Sequence, residues 1–490
     1  MDKKTRLNMI SSLGLQLITI LSGFIIPRQI LLVFGSDING LINSLTQFLN
    51  YISLVEGGLG SVLMTALYKP LNQNNISSVS SIIETGNNIF QKIAKIFLGY
   101  LFIVSFLYPL IVKTNFPYGF VCSLSLVLGI ALFVQYYFSI TWKILLQADR
   151  KVYISASIQM IVIILNTILT VLAIRVYPSI HFVKLMASIA FILQPVLYNC
   201  YINQKYNIDK LAPKNVNALT NRWDGFGINL AAFLNNNTDV IVLTLFSTLS
   251  NVSIYSVYSL VVVGIKSLIT SISAGITPSL GKEYSLGNVH RLNETFTKFE
   301  NLIFFSTFSI YACTLVLIIP FVINYTSGIQ DTDYCQPIFS VLLIFSYAMF
   351  CLREPYVNMA YVGNAYKDVG KYAYIEAGIN IVLSLIFVYL LGLNGAALGT
   401  LISMTYRTLF HVFYLKKKIL KRDPKIFFLK FVFYFISSSM GIYYANKFIY
   451  QAGDSGWMDW IKKALFTSFI IFGFNILSAF LLKFIKKRKG

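Results

Sequence analysis

Long stretches of this chain run almost without charge, and nothing else constrains its fold as much. Residues 96–112, 154–174, 303–323 and 464–482 are examples. As helices rising 1.5 Å per residue, each is long enough to cross a hydrocarbon core of about 30 Å. Inside such a core every backbone N–H and C=O needs an internal partner, which restricts a chain to helices or closed barrels. Uninterrupted runs of this length read as helices, not as the short alternating segments of a barrel. Composition points the same way. Hydrophobic residues make up 56% of the 490 and charged ones 12%, about half the usual soluble share. So few charges could not coat a soluble protein of this length.

Punctuation by polar, Gly and Pro residues divides the chain into fourteen spans. Their expected limits are 9–34, 39–68, 93–112, 118–146, 152–175, 181–203, 224–246, 252–281, 299–325, 335–362, 371–391, 395–415, 427–449 and 459–482. An even count puts both termini on one side. Thirty of the forty Lys and Arg then fall on that side and six on the other, so the positive-inside rule makes the shared side cytoplasmic. The short basic start Met1 to Arg6 precedes an apolar stretch too long for the h-region of a cleavable signal, so the first span is expected to stay in the membrane. The loops on the outer side are short, with 446–458 the longest. That leaves little room for an extracellular catalytic domain.

The chain also resembles itself. Phe34-x4-Asn39-x4-Ser44, entering the second span, returns as Phe246-x4-Asn251-x4-Ser256, entering the eighth. Lys69-Pro70-Leu71 and Thr277-Pro278-Ser279-Leu280 close those spans, each followed by a polar segment expected to be helical. Gln147-Ala148-Asp149-Arg150 before the fifth span parallels Asn364-Ala365-Tyr366-Lys367 before the eleventh. The expected fold is therefore an all-α polytopic membrane protein of two six-helix lobes in parallel repeat, residues 1–205 and 206–422. A further helix pair, 423–490, lies outside the repeat. Transporters built on parallel repeats bind substrate where the repeats meet.

Four cations remain inside spans: Arg28, Lys266, Arg353 and Arg407. Ionisable residues at membrane depth are costly, face a cavity or a partner, and mark candidate sites. Lys266 is the deepest. Arg28 follows Pro27 near an outer interface to which it could snorkel. Arg353 adjoins Glu354 and Pro355, so a structural ion pair competes with a ligand role. Arg407 shares a helix face with His411. Among the acids, Glu56 opens Glu56-Gly57-Gly58-Leu59-Gly60, where Gly57, Gly58 and Gly60 weaken the helix. They suggest, with Pro27, a hinge beside a charge, or else close helix packing. Asn235-Asn236-Asn237-Thr238-Asp239 places five polar residues mid-span, and they cannot all face lipid. Asn236, Asn237, Asp239 and Glu56 are the candidates for cavity or coupling-ion roles, while Glu376 reads as interfacial.

Other classes are excluded on residue grounds. A net charge of +21 could suggest nucleic acid as a partner, but the basic residues sit in short loops between spans. The five cysteines are scattered without C-x-x-C spacing, and the histidines at 181, 290 and 411 stand apart. No metal site, phosphate loop, H-E-x-x-H or nucleophile elbow is present. An enzyme is not expected, nor is a cofactor.

Ile26-Pro27-Arg28-Gln29-Ile30, Gly40-Leu41, the Glu56 to Gly60 turn and Asn236-Asn237-Thr238-Asp239 together resemble the polysaccharide-transporter branch of the MOP superfamily, the Wzx-type flippases. The likeness extends over the whole chain in span count, loop spacing and repeat pattern. It implies two lobes around a cationic cavity, in the plasma membrane of a bacterium. The implied substrate is an undecaprenyl-diphosphate-linked oligosaccharide, moved to the outer leaflet for capsule, O-antigen or other exopolysaccharide assembly, with the polysaccharide polymerase machinery as a partner. Arg28 and Lys266 match the basic cavity residues of the two lobes, and a proton or sodium ion is the coupling partner. The extra pair of spans also resembles the lipid II flippase branch. A cation-coupled drug exporter of the same fold would need an acidic cavity, whereas the embedded charges lean basic. A polysaccharide polymerase or glycosyltransferase, and a scaffold, fit the short outer loops and the embedded charges less well.

Overall fold

The computed structural model describes residues 3–209, 212–213, 226–420, 422–449 and 456–488, and among them every regular element is helical. The helices are α1 (Lys3–Leu49), α2 (Ser53–Asn72), α3 (Ile76–Ile111), α4 (Tyr118–Val134), α5 (Ile140–Ala148), α6 (Val152–Val176) and α7 (Ile180–Lys205). They continue with α8 (Phe226–Phe246), α9 (Leu249–Ser285), α10 (Val289–Tyr325), α11 (Pro337–Leu352), α12 (Glu354–Val362), α13 (Tyr366–Leu391), α14 (Leu393–Lys418), α15 (Lys425–Ile449) and α16 (Trp457–Arg488).

These helices make up the fourteen expected spans, with breaks where the backbone requires them. Inside α1, Gly35 at φ 81° separates the first span from the second, a conformation glycine adopts without steric cost. The second span then passes through the 3-10 turn Asn50–Ile52 before running on as α2. A π-turn, Gln135–Ser139, joins α4 to α5 within the fourth span. Arg353 breaks the tenth span between α11 and α12, just ahead of Pro355, whose ring cannot continue the preceding hydrogen-bond ladder.

By length and hydropathy alone, eleven described segments qualify as spanning. The rest of the fourteen come from α1 carrying two spans and from α8 and α14, which are interrupted by polar residues. Along α1, Leu13, Leu17 and Leu21 recur every fourth residue and are each more than half exposed. An exposed apolar stripe of this kind on a helix long enough to span a membrane is suited to contact with lipid.

The described residues form two compact units: Met1–Phe233 with Thr248–Ser253, and Leu234–Ser247 with Ile254–Gly490. Unit 1 is cored by Leu45, Leu63, Phe97 and Leu145, all fully buried. Within it, the first residues of α9 meet the second span closely. Asn39 Nδ2 donates to Ser253 Oγ at 2.8 Å, and Ser250 Oγ to Asp37 Oδ1 at 2.6 Å. A Cβ on Gly40 would lie 1.9 Å from the carbonyl oxygen of Leu249, so backbone contact demands glycine there.

In unit 2, α15 and α16 pack on each other and on α10. Trp460 Nε1 donates to the carbonyl of Leu317 at 3.1 Å, and Asn475 Nδ2 to Ser309 Oγ at 3.0 Å. Phe427 stands edge-on to Phe304. Glu300 of α10, fully buried, accepts from Tyr356 and is paired with Arg422 and with Lys430, the last at 2.5 Å. This ties the α14–α15 linker and the base of α15 to the body of the unit.

The internal repeat is visible in the turns. Asn74 (φ 51°) and Gly287 (φ 68°) each precede an asparagine N-cap. Asn75 Oδ1 accepts from Ser78 N–H to open α3, and Asn288 Oδ1 from Arg291 N–H to open α10. Arg150 and Asn364 share φ 57°. Their amides bond to Gln147 and Tyr361 carbonyls, and the next amides, Lys151 and Ala365, to Leu146 and Ala360. Gln147 therefore corresponds to Tyr361, three residues earlier than the sequence parallel with Asn364 placed it. Side-chain type misled that register, because the positive-φ turn is set by the backbone.

Candidate functional site

Two buried polar constellations lie within unit 2. The first is centred on Asp239, in the polar run of α8. Asp239 is 4% exposed. Its Oδ2 accepts from Tyr255 of α9 at 2.8 Å, and Thr400 Oγ1 of α14 reaches both carboxylate oxygens at 2.8 and 2.7 Å. Asn380 Nδ2 of α13 donates to Thr400 Oγ1 and to Ser403 Oγ, each at 3.2 Å, and Ser384 Oγ stands 3.4 Å from Asn380 Oδ1. Asn380, Ser384, Thr400 and Ser403 are all buried.

The backbone explains how α13 and α14 bring them together. A Cβ on Gly395 would fall 2.0 Å from the Phe387 carbonyl oxygen, and one on Gly399 2.6 Å from Ser384 Oγ. Gly395-x3-Gly399 is the small-xxx-small pattern that lets membrane helices touch, and it delivers Thr400 onto Asn380. Among the described residues no Lys, Arg or His forms an ion pair with Asp239. The cluster is a carboxylate ringed by hydroxyls and an amide, the donor set that hard monovalent or divalent cations take. A proton on the carboxylate is the other neutralising partner.

The second constellation is charged on both sides. Glu376 of α13 is fully buried, its Oε1 paired with Arg353 and its Oε2 with Arg407 of α14. The sequence reading placed Glu376 at an interface. Packing of α13 on α14 buries it instead, and the two guanidiniums supply the counter-charge that burial requires. Lys266 of α9 sits over the Phe350 ring at 4.1 Å and near Tyr347 at 5.5 Å, and Arg353 lies over Phe350 at 4.4 Å. One aromatic ring thus serves two cations. Glu354 accepts from Asn358 at 3.1 Å. His411 Nδ1 meets the Arg407 carbonyl at 2.8 Å, and neither His411 Nε2 nor Arg407 Nε has a hydrogen-bond partner.

Of the residues singled out from sequence, the structure gathers Lys266, Arg353 and Arg407 in this one neighbourhood and seats Asp239 in the other. Arg28 is half-buried in α1, whose helical backbone continues through Pro27. Gly57, Gly58 and Gly60 lie inside an unbroken α2, and the departure from α-helix in this span is the 3-10 turn at 50–52. Space does not require Gly60, since a Cβ there would meet Ile144 at an ordinary 3.7 Å. Asn237 is half-buried, whereas the side chains of Glu56, Asn235 and Asn236 lie outside the described residues. Sequence reasoning missed Tyr255, Asn380, Ser384, Thr400 and Ser403. Two signals pointed to them: Asn380 and Ser384 at i, i+4 in the otherwise apolar stretch 377–391, and the paired glycines just before Thr400.

No protein-family model matches the sequence, and no curated protein matches it. Solved structures do. The chain is similar to the lipid II flippase MurJ in an inward closed conformation, with 15% identity and a TM-score of 0.77. That match covers 98% of this chain and 99% of the flippase. It is also similar to an inward-facing multidrug resistance MATE transporter of the MOP superfamily (15% identity, TM-score 0.59, 82% and 93% covered). A third similar structure is the eukaryotic MATE transporter AtDTX14 (13% identity, TM-score 0.58, 86% and 98% covered). At these identities the likeness is one of fold. The chain is an integral membrane protein of about fourteen spanning segments, all-helical among the described residues and folded like the flippases and transporters of that superfamily.

Proposed function

We propose that this protein is a flippase that moves a lipid-diphosphate-linked oligosaccharide, carried on undecaprenol, from the inner to the outer leaflet of a bacterial plasma membrane. Both termini face the cytoplasm, and the product feeds extracellular polysaccharide assembly. The observation that supports this reading is the likeness to a lipid II flippase along 98% of the chain, α15 and α16 included. The MATE transporters leave more of this chain uncovered.

The physical chemistry agrees. A diphosphate cannot enter hydrocarbon unless its charge is solvated or paired. Each unit offers a cation for it, Lys266 in unit 2 and Arg28 in unit 1, whereas Arg353 is held by Glu376. Asp239 with Thr400 and Asn380 is the coupling site, taking a sodium ion or a proton. An interior-negative potential favours outward movement of an anion by about 2.3 kcal/mol per charge per 100 mV. The lobes of the sequence reading, 1–205 and 206–422, are the moving bodies, and 423–490 is an accessory pair.

The test is transfer in proteoliposomes of a fluorescent undecaprenyl-diphosphate oligosaccharide, followed with a membrane-impermeant quencher with and without an imposed potential. Protein-dependent, potential-sensitive transfer that Lys266→Ala abolishes supports the reading. Transfer of lipid II alone narrows it to a peptidoglycan precursor flippase, the reading favoured by the first structural match. Uptake of a cationic dye with no lipid transfer would make the protein a drug exporter and sink the proposal.

A further inference from the structure

Unit 1 contains a polar cleft that the reading above leaves unused. It forms at the π-turn between α4 and α5, where the Ile140 amide donates to the Gln135 carbonyl five residues back. Such insertions re-aim side chains and recur at functional sites. The cleft has a volume of about 250 Å³, below the roughly 300–1,000 Å³ of pockets that enclose drug-sized ligands. Its polar lining is Gln135, Tyr136, Ser139 and Lys143 from the turn and α5, Gln159 from α6 and Gln194 from α7. Ser139 is 3% exposed and its Oγ has no hydrogen-bond partner. A buried hydroxyl in that condition is costly, so its position on the cleft wall points to a ligand. Phe191 forms part of the wall and is shared with a second cleft of about 130 Å³ that holds Lys184 and Asn166. Asn166 Oδ1 is likewise without a partner. Among the described residues neither lining contains an acidic side chain.

Three carboxamides and two hydroxyls donate and accept hydrogen bonds in the way that ring hydroxyls of a sugar require. Lys143 adds one positive charge, and Phe191 supplies an apolar face. We propose that this cleft is a subsite for a single acidic sugar residue, a hexuronate or its equivalent, within the transported glycan. It rests on the flippase reading for its biological meaning but not for its measurement. The carboxylate meets Lys143, while Ser139, Gln159 and Gln194 read the hydroxyls. A bare inorganic anion would use the lysine and leave the amides idle.

The experiment is saturation-transfer NMR on the full chain in nanodiscs, with methyl glucuronide as probe, methyl glucoside as the neutral control and inorganic phosphate as competitor. The expected result is saturable binding of the glucuronide, about tenfold tighter than the glucoside, with phosphate displacing it poorly. Ser139→Ala and Gln194→Leu should each weaken binding about fivefold. Lys143→Met should erase the preference for the acid and Lys143→Arg should restore it, which separates lost charge from lost fold. Equal binding of the two sugars, insensitivity to Gln194→Leu, full displacement by phosphate, or no binding at all would each overturn the proposal. Because binding is read without transport, lipid transfer in proteoliposomes can fail while this site stands, and the reverse.

Discussion

Glu376 and Asp239 are both buried acids in unit 2, on neighbouring helices of one packed body, yet they have opposite surroundings. Glu376 is gripped by Arg353 and Arg407, one guanidinium on each oxygen. Asp239 meets Thr400 and Tyr255, hydroxyls that can share its charge but not cancel it. Glu300 follows the first pattern, with Arg422 and Lys430 as its cations. A carboxylate whose counter-charge is built into the chain is satisfied permanently and holds helices together. One surrounded by neutral oxygens must borrow a cation or a proton from outside, and can return it. The comparison teaches that a buried charge alone does not mark function. Whether the protein itself neutralises it decides between a strut and a site.

The sharpest way to break the comparison is to remove the strut. Glu376→Gln leaves two buried guanidiniums without a counter-ion, and a loss of about 3–5 kcal/mol is expected. It would be read as a collapse in monodisperse yield and melting temperature. A variant as stable as wild type would show that Glu376 is not the structural member of the pair.

Asp239→Asn should behave in the opposite sense, folding as well as wild type. If sodium is the coupling ion, wild type gains about 2.7 kcal/mol of apparent stability at a hundredfold excess of sodium over its dissociation constant. The variant should gain none. A sodium-dependent melting shift that survives in Asp239→Asn would remove this residue from the cation site.

Gly399→Ala sharpens the same point without touching the acid. Its Cβ must displace Ser384, so a loss of about 1–3 kcal/mol from overpacking is expected, together with a weaker sodium shift. A weaker shift at full stability would mean that the glycine serves the site and not the packing. Glu300→Gln tests whether the second strut belongs with the first. A loss of about 1–3 kcal/mol is expected, accompanied by faster proteolysis near the α14–α15 linker. Unchanged cleavage would show that Arg422 and Lys430 hold the linker without it.

The smallest effect is at the appended pair. Trp460→Phe keeps the ring against Phe321 but removes the bond to Leu317, at a cost of about 1 kcal/mol in the thermal-unfolding midpoint. No change there would leave the pair held by packing alone.

Much of this could be read one residue at a time. The spans and their number were legible because each helix in lipid must satisfy its own backbone and present an apolar surface, a demand written locally in every run of sequence. The break at Gly35, ahead of the second span, was legible for the same reason. The embedded cations stood out because any charge is conspicuous against so apolar a background, as did the polar run ending in Asp239. What those charges do was not legible, since it depends on which helix faces lie together. No periodicity of α13 or α14 says that Glu376 meets both Arg353 and Arg407, or that Thr400 lands on Asp239. Those pairings join residues up to 161 positions apart and rest on the rotation of one helix about its axis against another. Hydropathy fixes the length of a helix in the membrane but leaves that rotation free. Only the close approach at Gly395 and Gly399, and the ion pairs it permits, settles the rotation.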